Sequence, residues 1–298
     1  VPCYHPLSAF KTAAGEVVFY ESARHDIIRN LTLPCGQCVG CRLERSRQWA
    51  VRCMHEASLY ERNCFITLTY NDENLPEDGS LHYDHFQKFM KRLRKAVGGR
   101  VRFYMAGEYG EQLGRPHFHA CLFNYDFDDK VFFKRTGSGS LLYRSDKLES
   151  LWPFGYSSIG DVNFQSAAYV ARYIMKKVNG KNQDEHYERV NELTGEITVR
   201  RPEFTKMSLK PGIGFDWYTK WKDDVYPHDY VVVNGKKVRP PRFYDKKFKV
   251  EHPEDFEVIE FQRESRARQR YEDNTDERLA VKEKVAKARL RQLKRTLT

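Results

Sequence analysis

Residues 115–123, RPHFHACLF, constrain the chain most sharply. Side chains alternate across a β-strand, so a strand here sends His117 and His119 to one face and Phe118 to the other. Phe118 and Leu122 then need a core to anchor in, while the two imidazoles can reach one cation. The same spacing also suits two half-exposed histidines with no ligand, and these nine residues leave both readings open.

The preceding segment, VRFYMAGEYG (101–110), narrows the choice. Val101–Ala106 has the composition of a strand, and a short connection leads to a second strand at Pro116–Phe123. If strands 101–108 and 116–123 pair as a hairpin, Glu108 lies beside both histidines. Two imidazoles and one carboxylate leave positions open on a divalent ion such as Mg²⁺ or Mn²⁺. Catalysis requires such openings, because a closed tetrad is structural. Without the histidines, Glu108 reads as an ordinary loop carboxylate.

The surrounding pattern predicts how such a hairpin is housed. Leu43, Trp49, Ala50, Cys53, Met54, Ala57 and Tyr60 recur at helical spacing from Arg42 to about Glu61. Cys64–Tyr70 (CFITLTY) reads as a strand, Tyr83–Val97 as an amphipathic helix ended by Gly98-Gly99, and Tyr156–Ile159 as a short strand. Gln165–Val178 reads as another helix. This order predicts an α+β fold, a central antiparallel sheet flanked by helices. VVVNGKKV (231–238) predicts a hairpin around Asn-Gly. The expected divisions are a Cys-rich segment plus helix (1–60), the sheet domain (61–180), an accessory region (181–254) and a basic helical tail (255–298). Phe261–Thr298 holds twelve Lys/Arg against six Asp/Glu, which predicts an exposed helix or tail.

AAYVARYIMKK (167–177) forms a second constellation. At ~100° per residue, Tyr169, Tyr173 and Lys176 share one helical face. Val170, Ile174 and Val178 occupy another side and can hold the helix on the sheet. A phenol titrates near ~10 and is a poor nucleophile until a cation or base favours the phenolate. Lys176 or Lys177 can supply that, or can neutralise a phosphate. Tyrosines at this spacing also serve as core or rim aromatics, and the lysines as solvated charges.

Cys35, Cys38 and Cys41 form a C-x2-C-x2-C run whose Gly36 and Gly40 permit tight turns. No secretory layout opens the chain, so a metal knot is favoured over disulfides, and a cell-interior protein is expected. A closed Zn²⁺ site needs a fourth ligand. Cys3 is the choice, with His5 close behind. An iron–sulfur cluster and reduced thiols without metal are the alternatives. Cys53, Cys64 and Cys121 sit in apolar contexts and read as buried thiols.

The chain of 298 residues carries 51 Lys+Arg against 41 Asp+Glu, a net charge of +10. That balance points to nucleic acid or another polyanion. Apolar residues, at 40%, suffice for a core and argue against a wholly disordered chain, and no run approaches a membrane span. Arg42, Arg45, Arg47 and Arg52 follow the cysteines with Trp49 interleaved. They suit a DNA-facing surface or an amphipathic helix with Trp49 in the core. Arg115, beside the histidines, is a better candidate for holding a DNA phosphate.

Together, Phe65–Tyr70 (FITLTY), Glu108 with His117-Phe118-His119, and Tyr169-x-x-x-Tyr173-x-x-Lys176 resemble the three motifs of the HUH endonucleases, in the order and spacing of rolling-circle replication initiators. PCYHPL, CGQCVGCRLERSRQWAVR, MSLKPGIG and RPPRFYD extend the resemblance over most of the chain, to the initiators of gokushoviruses in the Microviridae phages. The resemblance implies an HUH endonuclease fold and a divalent ion on His117, His119 and Glu108. It further implies nicking of single-stranded origin DNA by one tyrosine, with a 5′-phosphotyrosyl intermediate and a free 3′-OH that a host polymerase extends. The second tyrosine later cuts the regenerated origin, and the ends are rejoined. Host polymerase and helicase are the implied partners, and the bacterial cytoplasm the implied location. Two readings compete: a plasmid relaxase or transposase of the same superfamily, and a non-catalytic zinc-dependent nucleic-acid-binding protein. Relaxases commonly use three histidines where this chain offers two and a glutamate.

Overall fold

The computed structural model describes residues 3–22, 24–110, 114–172, 183–190, 195 and 197–292, which form two compact units. One comprises the described residues up to Arg45 together with those from Pro253 onward, and the other runs from Ser46 to His252.

In the first unit, β1 (Leu7–Thr12) lies between β2 (Val17–Val18) and β3 (Ile27–Leu33), antiparallel to both. The cysteine run follows and leads into α1 (Val39–Ala57). That helix starts three residues ahead of the expected Arg42, so Cys41 falls in its first turn.

The second unit is built on a mixed-length antiparallel sheet. Its strands are β4 (Asn63–Tyr70), β5 (Arg102–Tyr109), β6 (Pro116–Phe123), β7 (Val131–Arg135), β8 (Leu141–Arg144), β9 (Gly155–Gly160) and β12 (Phe204–Met207). Their order across the sheet is β12-β5-β6-β4-β9-β8-β7. The predicted hairpin is therefore present at the centre, and the α+β architecture with it. β5 runs through Gly107 and Glu108, as the hairpin over 101–108 requires. A Cβ at Gly107 would meet Leu81 and Phe204 at 3.1 Å and Phe118 at 3.3 Å, so a residue that weakens an isolated strand is needed here for close packing.

The two faces of the sheet are covered differently. On one, α2 (Tyr83–Val97) buries Phe86, Phe89, Met90 and Leu93 against Phe118, Leu122 and Met105, and α3 (Asp146–Leu151) adds Leu148. Gly98, at φ 66°, caps α2 in the left-handed region. On the other face α1 and α4 (Phe164–Arg172) approach through small residues: Ala50, Cys53 and Ala57 from the first, Ala167, Ala168 and Ala171 from the second. Asn163 and Ser166 cap α4 reciprocally, each side chain accepting the other's backbone N–H at 2.8 and 2.9 Å. Ser46 Oγ donates to Ala168 O at 3.0 Å and ties the two helices. The remainder of the predicted helix, 173–178, lies outside the described residues.

Around this core stand α5 (Gln183–Tyr187), the β10–β11 pair (Glu188–Val190 and Ile197–Val199), α6 (Phe215–Val225), the β13–β14 hairpin (Val231–Val233 and Lys236–Val238) and α7 (Arg242–Glu251). The hairpin turns at Asn234 and Gly235, both at positive φ as its sequence requires. In the first unit, α8 (Pro253–Arg268) and α9 (Asp276–Gln292) account for the described part of the predicted basic tail, and both are largely exposed. Among the described residues no helix is long and apolar enough to cross a membrane.

A candidate metal centre on the sheet

The register of the central strands assembles the site. Glu108 on β5 is directly opposite His117 on β6, and on the other flank His119 is opposite Thr67 of β4. Period-two alternation keeps Glu108, His117, His119 and Thr67 on the face covered by α1 and α4. Phe118 is fully buried in the opposite core, as its position requires.

Glu108 Oε1 is 2.6 Å from His117 Nε2 and 3.1 Å from His119 Nε2. His117 Nδ1 faces the carbonyl of Arg115 at 3.0 Å, a contact that needs the ring's N–H there. A neutral ring then turns a lone pair toward the carboxylate. Two acceptors at 2.6 Å are compatible only with a second ring proton or with a cation that both atoms ligate. His119 is oriented by Thr67 Oγ1, 2.9 Å from its Nδ1. Burial pushes the Glu108 carboxyl up, but the hydrogen bonds from His117 and His119 outweigh it and hold the group down to about 2. The donor set thus fits a divalent ion: one ionised carboxylate oxygen and two imidazole nitrogens, all within 4.8 Å of one another. Tyr169 of α4 meets His119 edge-on, ring centroids 5.2 Å apart. Tyr173, Lys176 and Lys177 lie outside the described residues.

Other predicted residues have defined surroundings. Arg115 donates to Tyr70 O at 3.0 Å and pairs with Asp72. Arg45 is exposed and reaches Gly36 O at 3.4 Å, while Arg42 is half-buried. Trp49 stacks on Tyr104 at 4.7 Å, within the core of the α1–α4 face. The contact of Thr67 with His119 depends on strand register, which alternation alone does not give.

In the first unit, Cys3, Cys35, Cys38 and Cys41 bring their sulfurs within 4.8 Å of one another, and none is in a disulfide. Cys3 and Cys38 Sγ are 4.0 Å apart, close to the ~3.8 Å edge of a tetrahedron of ~2.3 Å Zn–S bonds. The backbone N–H of Cys35 points at Cys3 Sγ (3.3 Å), that of Cys38 at Cys35 Sγ (3.3 Å), and those of Tyr4 and Cys41 at Cys38 Sγ (3.4 and 3.5 Å). Gly36, at φ 76°, makes the turn between the first two ligands of the run. Burial raises the Cys38 thiol, but these donors and its sulfur neighbours bring it to about 6, toward the thiolate a metal binds. His5 is directed elsewhere, to Glu283 at 3.1 Å.

The profile of the replication-associated protein ORF2/G2P family matches residues 63–178. The chain is 32% identical over 262 residues to the replication-associated protein VP4 of Bdellovibrio phage phiMH2K, covering 85% of this chain and 78% of that protein. It is 30% identical over 277 residues to the replication-associated protein ORF2 of Spiroplasma virus 4, covering 85% and 82%. A third relative, the replication-associated protein ORF4 of Chlamydia phage 1, is 32% identical over 221 residues, covering 71% and 52%. No solved structure matches the chain. A profile match that spans the whole β4–α4 core, with relatives alignable over most of their length, establishes the assignment: this chain belongs to the phage replication-associated proteins of the ORF2/G2P family.

Proposed function

We propose that the chain nicks and rejoins single-stranded DNA at a phage replication origin through a tyrosine ester. The observation that carries this reading is the convergence of Glu108, His117 and His119 beneath Tyr169 on one face of the sheet. A Mg²⁺ or Mn²⁺ ion bound there supplies Lewis-acid polarisation of a non-bridging oxygen of the scissile phosphate. Tyr169 or Tyr173 is the nucleophile. As the phenol loses its proton, its oxygen bonds to phosphorus and the P–O3′ bond breaks. The 3′-oxygen then takes up a proton. The product is a 5′-phosphotyrosyl chain and a free 3′-OH for the host polymerase, and attack by a 3′-OH on the ester rejoins the strand. Lys176 and Lys177 favour the phenolate or neutralise phosphate charge. Arg115, Arg42 and Arg45 are assigned to the DNA backbone, and the four cysteines to a structural Zn²⁺. The protein acts in the host cell alongside its polymerase and helicase.

The test is a labelled origin strand incubated with the full chain and Mn²⁺ or Mg²⁺. A protein–DNA adduct that survives denaturation is expected, absent from the Tyr169→Phe/Tyr173→Phe double variant. An adduct that persists in the double variant contradicts the assignment, and binding without an adduct from the unmodified chain leaves a nucleic-acid-binding protein.

A further inference from the structure

A cleft lies beside Trp49, which packs on the sheet face that carries the metal centre. Tyr104 and Glu108 share that face of β5, four residues and about 13 Å apart. Trp49 stacks on Tyr104, and beyond it opens this cleft of about 530 Å³ between α1, α7 and the loop after β12, a size typical of ligand sites (~300–1,000 Å³).

The chemistry of this cleft is unusual. Arg52 lies between the rings of Trp49 and Phe243, at 4.0 and 3.9 Å, and donates from Nε to Ile213 O at 2.9 Å. It is only 9% exposed, and among the described residues it forms no ion pair. Glu56, whose charge it feels, is already bound to the Arg102 guanidinium and to the Gly214 N–H at 2.6 Å. Lys210 and Lys247 add two exposed cations, with Lys247 Nζ 5.3 Å from the Phe215 ring. No carboxylate is among the described lining residues. A buried cation without a counter-charge is costly, and an anion entering the cleft relieves that cost. Three cations, the rings of Phe215 and Phe243 and no acid match a phosphate joined to a flat base.

We propose that this cleft is a nucleotide subsite for single-stranded DNA, in which a base lies against Phe215 and Phe243 and the adjoining phosphates meet Lys210, Lys247 and Arg52. This deepens the nuclease reading and rests on it, because a strand that is cut must also be held, and the cleft lies in the same compact unit as the metal centre. Aromatic contact with tolerance for any base is the general basis of single-strand binding.

The test uses the full chain with its zinc and no added Mg²⁺ or Mn²⁺, where cutting plays no part, and a fluorescein-labelled oligothymidylate of roughly 16 nucleotides, the upper end of single-strand site sizes. The Lys210→Ala/Lys247→Ala variant changes two exposed side chains and is expected to bind about 10-fold more weakly. The slope of log affinity against log salt should fall by about 1.4, ~0.7 for each lost phosphate contact. Photocrosslinks from 5-iodouracil placed in the strand should map to the peptides holding Phe215 or Phe243. Unchanged affinity and slope, or crosslinks confined to other peptides, overturn the proposal. So does a double variant that alters sedimentation but not DNA binding, since the cleft then holds a second copy of the chain. If crosslinks map to the cleft while no adduct ever forms with Mn²⁺, the subsite stands and the nuclease reading fails. An adduct with crosslinks elsewhere gives the converse.

Discussion

Glu108 sits directly across the β5–β6 ladder from His117 and spans to His119, one carboxylate oxygen lying 2.6 and 3.1 Å from the two Nε2 atoms. The arrangement is set by backbone register, so single substitutions should remove ligands without moving the others. Glu108→Ala is expected to lower Mn²⁺ affinity at least ~100-fold by calorimetric titration. Thr67→Val, which takes away only the group that orients His119, should lower it by about 10–100-fold. Equal affinity in Thr67→Val and the unmodified chain would place the ion elsewhere.

His55 provides a pH dependence of known sign. It is buried, stacks on Trp217 with centroids 3.5 Å apart, and shares a hydrogen bond of 3.0 Å with Tyr244 Oη. Burial lowers its pKa from 6.5 to about 3. The unfolded chain therefore binds a proton that the folded chain refuses. The stabilising contribution is complete above pH 6.5 and declines as pH falls toward 3. Between pH 7.5 and pH 5 it costs about 2 kcal/mol of unfolding free energy. Urea titrations at the two values should show this loss, and His55→Phe should reduce it.

The cysteine cluster makes a separate prediction. Cys38→Ser should cost the chain about one zinc by elemental analysis. Chelators should lower the melting temperature of the unmodified chain and leave that of Cys38→Ser nearly unchanged. His5→Ala should retain the metal, because His5 is turned toward Glu283.

What could be read from the sequence follows the strength of its periodicities. The 115–123 strand has a clean alternation that sorts Phe118 from its histidine neighbours, and α2 presents Phe86, Phe89, Met90 and Leu93 at helical spacing. Both were legible for that reason. At Gly107, by contrast, no local signal says that Leu81, Phe118 and Phe204 crowd that position. β7 gives no alternation because all five of its residues are exposed, and β8 and β12 are four residues each. The cleft was illegible because Arg52 and Phe243, its facing members, are far apart in sequence.

Glu56 and Arg102 form a fully buried pair that joins α1 to β5, and through Gly214 N and Pro211 O it also holds the loop lining the cleft. Removing one partner leaves the other charge buried. Glu56→Ala is expected to destabilise the chain by about 3–5 kcal/mol. A loss below about 1 kcal/mol in urea unfolding would show that the pair is dispensable.

The nuclease chemistry depends on Glu108, His117 and His119 being ligands of one divalent ion. Anomalous diffraction at the manganese edge from a crystal grown with Mn²⁺ tests it most directly. One peak within bonding distance of both Nε2 atoms and a Glu108 oxygen is predicted, lost in His119→Ala. A crystal saturated with Mn²⁺ that shows no density between the imidazoles would contradict it.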